Sequence, residues 1–480
     1  MGNSKGRAIG AKILHDREIE QSLPTYGKLK EQIEAVRPVA ADYKQRLQKY
    51  AQDEFVMPQV INNFSILGSR GTGKSSILKT LYQYLQAQNT DPTDFKKQKN
   101  ILLPSIVPEN LVDNISLMGC ILGLLKETVD RISDTQENHN SFCPSQPCPL
   151  KKKYNELMRE FVQLQQPYEQ ISVQQFSTNS EYTRTITSML EAGNQFTVQF
   201  RHFIDELLSE YADDALLFIF IDDIDLSTNR CGDLVKTLLS YLSHPAIVTV
   251  LAGDISIFGE ALTLDFLHKE KIPDSEYLQN SYLVEKTQYG HDTAEEKMLE
   301  RKKQLAYEYL KKVMPPNNRH SIVNWSLSSK RNFCIVQDSE ENSSVTLADL
   351  LDRLDRHIPL LHHYYGEQKD SLLYYPFDTT ARGLASSYHA IQMLVEKLDS
   401  SHTDNEEIHL DEFYSDIKFL IESVVASSYQ LSIHQHLIFG QFLELGTTLE
   451  NSSIRFDNFY IWLINTIPEL QYFGQTDFSQ

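Results

Sequence analysis

The feature that most narrows what this chain can fold into is a glycine-rich octapeptide set between two apolar elements of different period. Val60 to Leu67 is a short β-branched and apolar run that reads as a buried strand. Gly68-Ser69-Arg70-Gly71-Thr72-Gly73-Lys74-Ser75 follows it and matches G-x-x-x-x-G-K-[ST] at every fixed position. Ile77, Leu78, Leu81 and Leu85 then recur at helical spacing. A strand that turns through glycines into a helix aims backbone N–H groups and the positive end of the helix at one spot, which suits an anion. The pattern implies phosphate. The backbone from Gly68 to Ser76 would cradle phosphate oxygens, Lys74 would reach the β- and γ-phosphates, and the Ser75 hydroxyl would ligate magnesium. ATP and Mg2+ are the expected ligands.

A second run supplies acid. Leu216 to Ile221 is the most hydrophobic stretch of the chain and is too short for an ordinary helix, so it reads as a central parallel strand. It ends in Asp222-Asp223. A carboxylate at the carboxyl edge of such a sheet suits the magnesium water shell, the role expected of Asp222. Asp223 points differently and is expected to orient or deprotonate the attacking water, and Asp225 adds a third acid. Which of the three does which task stays open. Ala246 to Ala252 is another buried strand and ends at Gly253-Asp254.

Further strand and helix signals alternate along the chain. A strand is expected at Ile101 to Val107. Helices are expected from Tyr26 to Asp53 (interrupted at Pro38), Leu111 to Ile132, Lys151 to Leu164, Thr183 to Tyr211 and Thr293 to Val313, the last stopped by Pro315-Pro316. Ser133 to Pro149 reads as a loop, and Asp338–Ser344 and Asp399–Glu407 as polar linkers. The expected fold class is α/β: a P-loop parallel sheet flanked by helices, with a helical lid and a helical C-terminal region. The expected division is a helical N-terminal extension over 1–57, the α/β domain with a helical insertion over 58–326, the lid over 327–398 and the C-terminal helices over 399–480. Asn458 to Phe473 reads as one more structured element, so the natural chain is expected to continue past Gln480.

Composition excludes several classes. A chain of 480 residues exceeds one ordinary core, and 41% apolar with 23% charged residues is globular rather than disordered. A run of about 18 apolar residues is missing, and the start Met1-Gly2-Asn3-Ser4-Lys5-Gly6 lacks a signal-peptide core, so no membrane partner is expected. Gly6 also stands where a myristoylation signal needs Ser or Thr. Cys120, Cys143, Cys148, Cys231 and Cys334 form an odd, scattered set, which suits reduced thiols in a cytoplasmic protein. Cys143, Cys148 and His139 lack a second ligand pair, and His357, His362 and His363 lie among Leu and Tyr, so both groups read as structural rather than zinc-binding. The net charge of −20 argues against a surface that tracks nucleic acid, although a local basic groove or pore lining stays compatible with it.

Ile221-Asp222-Asp223-Ile224-Asp225 resembles the Walker B segment of AAA+-type ATPases, especially their KAP-like and STAND-like branches. Val250-Leu-Ala-Gly-Asp254 is similar to their sensor strand, which implies that Asp254 sits between the two Walker motifs, where Asn is commoner. The resemblance implies an arginine finger at Arg319, after the long helix and Pro315-Pro316. It also implies a sensor arginine at Arg382, within Phe377-Asp-Thr-Thr-Ala-Arg-Gly-Leu384. It covers about Val60 to Lys397. The layout also resembles the ATPase component of the RADAR anti-phage system, which implies a homo-oligomeric ring and a deaminase effector as partner. The expected activity is ATP hydrolysis coupled to assembly or conformational control, plausibly in antiviral defence. The rivals are a nucleic-acid motor or loader of the origin-recognition type and a non-hydrolysing ATP-gated scaffold. A small-molecule kinase would not carry so much helix.

Overall fold

Strands buried on both faces are apolar at most positions, and the three longest strands here are buried along their whole length, with Asn63, Ser65 and Thr249 as buried polar exceptions. The computed structural model describes residues 11–49, 60–89, 91, 94–112, 115–139, 148–165, 179–226, 230–269, 294–335, 345–357, 374, 376–401, 414–427, 431–432 and 435–436. Among them, β1 (Asn63–Leu67), β2 (Asn100–Leu102), β3 (Leu216–Ile221), β4 (Ile247–Gly253) and β5 (Arg319–Ser321) form one parallel sheet in the order β2-β3-β4-β1-β5. The fold is α/β, a parallel sheet with flanking helices and a mostly helical C-terminal region. Cys143, His362, His363 and Asn458 to Phe473 lie outside the described residues.

The chain divides into two compact units. One comprises Thr25–Gly68 and Leu78–Ser321 and holds the sheet. The other comprises Met1–Pro24, Ser69–Ile77 and Ile322–Gln480.

In the sheet unit, register places Leu67 beside Gly253 and Ile221 beside Leu251, so β1, β3 and β4 end at one edge. The start of β1 is fixed by amides: the Asn63 side chain donates to the Val313 carbonyl at 2.7 Å, and Asn318 donates to the Asn63 carbonyl at 3.0 Å. The edge strand β2 is shorter than the expected Ile101–Val107. Pro104 has no N–H for the ladder, and the chain rejoins it only at Ile106, which bridges Ile221. Helices Leu117–His139, Pro149–Leu164 and Asn179–Ser209 bring their apolar faces together around Tyr154, Phe161, Phe196 and Phe203. The first of these runs on to His139, so the expected loop from Ser133 starts later; its last turns carry no apolar residue to reveal them. The N-terminal helices Tyr26–Glu34 and Val36–Lys49 break at Ala35 rather than at Pro38. Pro38 lies in the first turn of the second helix, where a missing N–H leaves no bond unmade. Strand β5, which the polar triplet Arg319-His320-Ser321 did not signal, pairs β1 at Ser65, Ile66 and Leu67.

In the other unit, helices Leu347–His357, Ala381–Ser401 and Tyr414–Ser427 share a core with Trp325, Phe333 and Phe377. Lys330 sits inside that core at 2% exposure, and its ammonium donates to the carbonyls of Tyr374 (3.3 Å) and Phe377. Burial pulls its pKa from 10.5 down to about 8, against the attraction of Asp378. The unfolded chain therefore binds more protons than the folded one between pH 8 and 10.5, and folded-state stability rises with pH across that window. The rise is at most about 1.4 kcal/mol per pH unit. Chemical denaturation of wild type and Lys330→Met over this range should show the difference moving in favour of wild type as pH increases. A pH-independent difference would show that burial does not lower the Lys330 pKa.

Candidate functional site

The site is built at the carboxyl edge of the sheet. As β1 ends, the Gly68 N–H donates to the Gly253 carbonyl at 3.2 Å, which ties the exit of β1 to the end of β4. On the far side of β4, β3 delivers Asp222. The Asp222 backbone N–H donates to Ile106 at 2.8 Å, and its carboxylate accepts the Asp223 N–H at 3.0 Å. Asp222 is buried and Asp223 half-buried. Asp223 has φ 51°, the one non-glycine residue in the left-handed region among the described residues. That conformation opposes the intrinsic preference of an L-residue, and such strain persists where surrounding structure enforces it. Asp225 is 5% exposed, and its Oδ1 has no hydrogen-bond partner among the described residues. A buried carboxylate oxygen without a donor is costly unless it meets a cation or a proton.

Asp254, expected as the sensor residue, begins helix Ile255–Lys269 and accepts the Ser256 N–H on its carboxylate at 2.9 Å. It thus caps that helix, a position that Asp and Asn both favour. The strand that carries it does lie between β1 and β3.

In the other unit, the loop after Gly68 is shaped by Gly71 (φ 86°) and Gly73 (φ 100°), conformations that side chains resist and glycine adopts freely. Helix Lys74–Ala87 begins immediately afterwards. The Ser69 carbonyl accepts the Thr72 hydroxyl at 2.8 Å and the Lys74 ammonium at 3.2 Å, so Lys74 folds back across the loop and is buried. Arg70 is exposed, Ser75 and Ser76 half-buried, and the Ser76 hydroxyl accepts the Lys12 N–H at 3.2 Å.

The two arginines have different settings. Arg382, in the first turn of helix Ala381–Ser401, donates its backbone N–H to the Gly71 carbonyl at 2.9 Å, and its side chain is exposed. The structure therefore brings Arg382 to the loop. Arg319 instead donates to the carbonyls of Met314 (2.8 Å) and Leu310 (3.4 Å), at the C-terminal end of helix Ala294–Val313. Burial lowers the pKa of its guanidinium, and the carbonyls of a helix end favour a cation. Sequence reasoning gave no role to Thr380, which approaches Gly71, to Asp378, which accepts the Thr380 hydroxyl, or to Lys330 behind them. No periodic or motif signal marks them.

In the sheet unit, Asp222, Asp223 and Asp225 follow β3, and Asp225 keeps an unpartnered oxygen, so this end of the sheet carries hard oxygen donors of the kind that suit magnesium. Ser75, in the other unit, lies in the first turn of helix Lys74–Ala87. Among the described residues no three His, Cys, Asp or Glu side chains form a ready-made metal cage. Mg2+ does not require one, since it usually keeps waters and binds one or two carboxylates together with substrate phosphates. No helix among the described residues is long and apolar enough to cross a membrane.

No protein-family model matches the chain, and no curated protein matches it.

Arg319 gives a test that separates a helix cap from a finger. Loss of two carbonyl contacts at a helix C-terminus costs about 1–2 kcal/mol. Arg319→Ala should lower the unfolding midpoint accordingly, whether nucleotide is present or not. An unchanged midpoint with lost turnover would assign Arg319 to chemistry instead.

Proposed function

We propose that the protein is a magnesium-dependent P-loop ATPase of the AAA+/STAND-like type. One observation carries the reading: β1 leaves the sheet through Gly68 into a loop with left-handed Gly71 and Gly73, and a helix starts at the motif lysine, Lys74. Strand β3, ending in Asp222, reaches the same sheet edge with β4 between. An inserted strand that separates the loop strand from the acid strand supports the AAA+-type arrangement over a minimal kinase.

The steps follow from side-chain chemistry. Backbone N–H groups of residues 69–74 and the positive end of helix Lys74–Ala87 bind the phosphates. Lys74 exchanges the Ser69 carbonyl for β- and γ-phosphate oxygens, a stronger, charge-assisted contact. Bound Mg2+ would supply charge neutralisation on the phosphates, held by Ser75 and Asp222. Asp223 orients water for in-line attack on the γ-phosphorus and accepts its proton. Asp225, buried with an unpartnered Oδ1, adds a third carboxylate. Arg382 is the arginine assigned to the γ-phosphate, because its backbone already sits on the loop. Turnover would drive assembly or conformational control, with a homo-oligomeric ring and a protein effector as the expected setting.

Steady-state hydrolysis and ATP binding of single variants test these roles. Lys74→Ala should lose tight ATP binding with the fold intact. Asp223→Asn should bind ATP yet fall by about 10²–10⁴ in turnover, the usual range for a lost general base. Asp222→Asn should weaken binding chiefly when magnesium is present. Wild-type affinity in Lys74→Ala would remove the phosphate-binding assignment, and wild-type turnover in Asp223→Asn would favour a gated scaffold in which that acid is structural.

A further inference from the structure

The segment that precedes helix Ala381–Ser401 is fastened at several points, and its free edge meets the phosphate-binding loop. The Phe377 carbonyl accepts the buried Lys330 ammonium, as does the Tyr374 carbonyl. The Thr379 carbonyl accepts the Trp325 N–H at 2.9 Å. The Asp378 carboxylate accepts the Thr379 N–H at 2.8 Å and the Thr380 hydroxyl, and that hydroxyl accepts the Gly383 N–H at 3.2 Å. On the other side, Arg382 donates its N–H to the Gly71 carbonyl, and the Thr380 hydroxyl oxygen would stand 3.2 Å from any β-carbon added at Gly71. Gly71 is where the loop takes a left-handed turn, so whatever holds its carbonyl also fixes the direction of the neighbouring N–H groups.

We propose that Lys330 is a positioning residue for the phosphate-binding loop: by holding the carbonyls of Tyr374 and Phe377, it keeps Asp378 bound to Thr380, and Thr380 and the Arg382 N–H seated on Gly71. This inference rests on the nucleotide reading for its effect on ATP, but its mechanical part does not. Packing alone does not call for a lysine. A methionine would fill a 2%-exposed core position without the desolvation cost of an ammonium. The lowered pKa of Lys330 is a sign of that cost. Lys330 donates to the Phe377 carbonyl and shares the Tyr374 carbonyl with the Phe377 N–H (3.3 Å), and an aliphatic side chain supplies neither lysine bond. Lys330 acts on the loop from behind and touches neither phosphate nor reacting water, so its removal should blur the loop rather than stop the chemistry. The same logic makes Gly383 a second handle. A β-carbon there would come within 2.1 Å of the Asp378 carboxylate and push it off its seat while leaving Lys330 in place.

The test uses the full chain and two readouts. Amide hydrogen exchange without nucleotide follows the Arg382 N–H, and titration with MgATP gives Kd beside kcat. In Lys330→Met the Arg382 amide should exchange about tenfold faster and Kd should rise about tenfold, while kcat at saturation changes less than about threefold, the scale of one weakened buried hydrogen-bonded contact. Lys330→Gln keeps two N–H donors and should recover part of the loss. Gly383→Ala should reproduce the loss of Lys330→Met, which serves if the methionine variant does not fold. Folded Lys330→Met or Gly383→Ala with wild-type exchange and wild-type Kd overturns the proposal and leaves the nucleotide reading intact. Faster exchange at Arg382 in a protein whose wild type binds no ATP retains the positioning role and removes the nucleotide reading. A kcat that falls as far as the affinity would place Lys330 in general folding rather than in loop positioning.

Discussion

The parallel pairing of β1 with β4 fixes what the rest of the molecule can do. Leu67 lies beside Gly253, and the Gly68 N–H reaches the Gly253 carbonyl, so the chain must leave the sheet at Gly68. Because β4 also pairs with β3, the same register sets Asp222 at that edge. In a parallel sheet every strand presents its carboxyl end on one side, and ligands of open α/β sheets gather there. Parallel pairing through β4 is thus the reason that Gly68 and Asp222, more than 150 residues apart in sequence, belong to one edge.

Unusual backbone marks the candidate residues of both units. Gly71 and Gly73 adopt left-handed backbone freely, but Asp223 does so against its own preference. An aspartate tolerates this better than a β-branched residue would, and the Asp222 carboxylate takes the Asp223 N–H and steadies the turn. The unpartnered Oδ1 of Asp225 is a second uncompensated cost close by in sequence. Both features are easy to understand in a site that handles a cation and charged oxygens, and neither helps folding.

Much of the fold was legible because its signals are short-range. Leu216–Ile221 is strand over the span its hydrophobicity indicates, and the octapeptide sits between strand and helix as its glycines require. The α/β class follows from those two facts. What was not legible depends on partners distant in sequence. Strand β5 is three polar residues that become a strand only because β1 offers an edge. The continuation of helix Leu117–His139 past Ser133 has no apolar face to betray it. Arg319 follows a helix and a proline pair whether it serves as a finger or a cap, and only its contacts with Leu310 and Met314 show what it touches. Asp254 likewise carries an N-cap contact that its place after a strand did not foretell. Lys330 is one charged residue in an ordinary surface-like string, Leu327-Ser328-Ser329-Lys330, yet it is buried and donates to the carbonyls of Tyr374 and Phe377.

The central claim is that the loop from Gly68 to Ser75 binds the phosphates of ATP together with magnesium. Calorimetric titration of the purified wild-type chain with ATP, with and without Mg2+, tests it most directly. Saturable binding of about one ATP per chain is predicted, tighter with Mg2+ because the metal would neutralise charge on the phosphate oxygens and, in the proposed roles, be held by Ser75 and Asp222. Absence of saturable heat for ATP in the presence of Mg2+, from a folded protein, would contradict it.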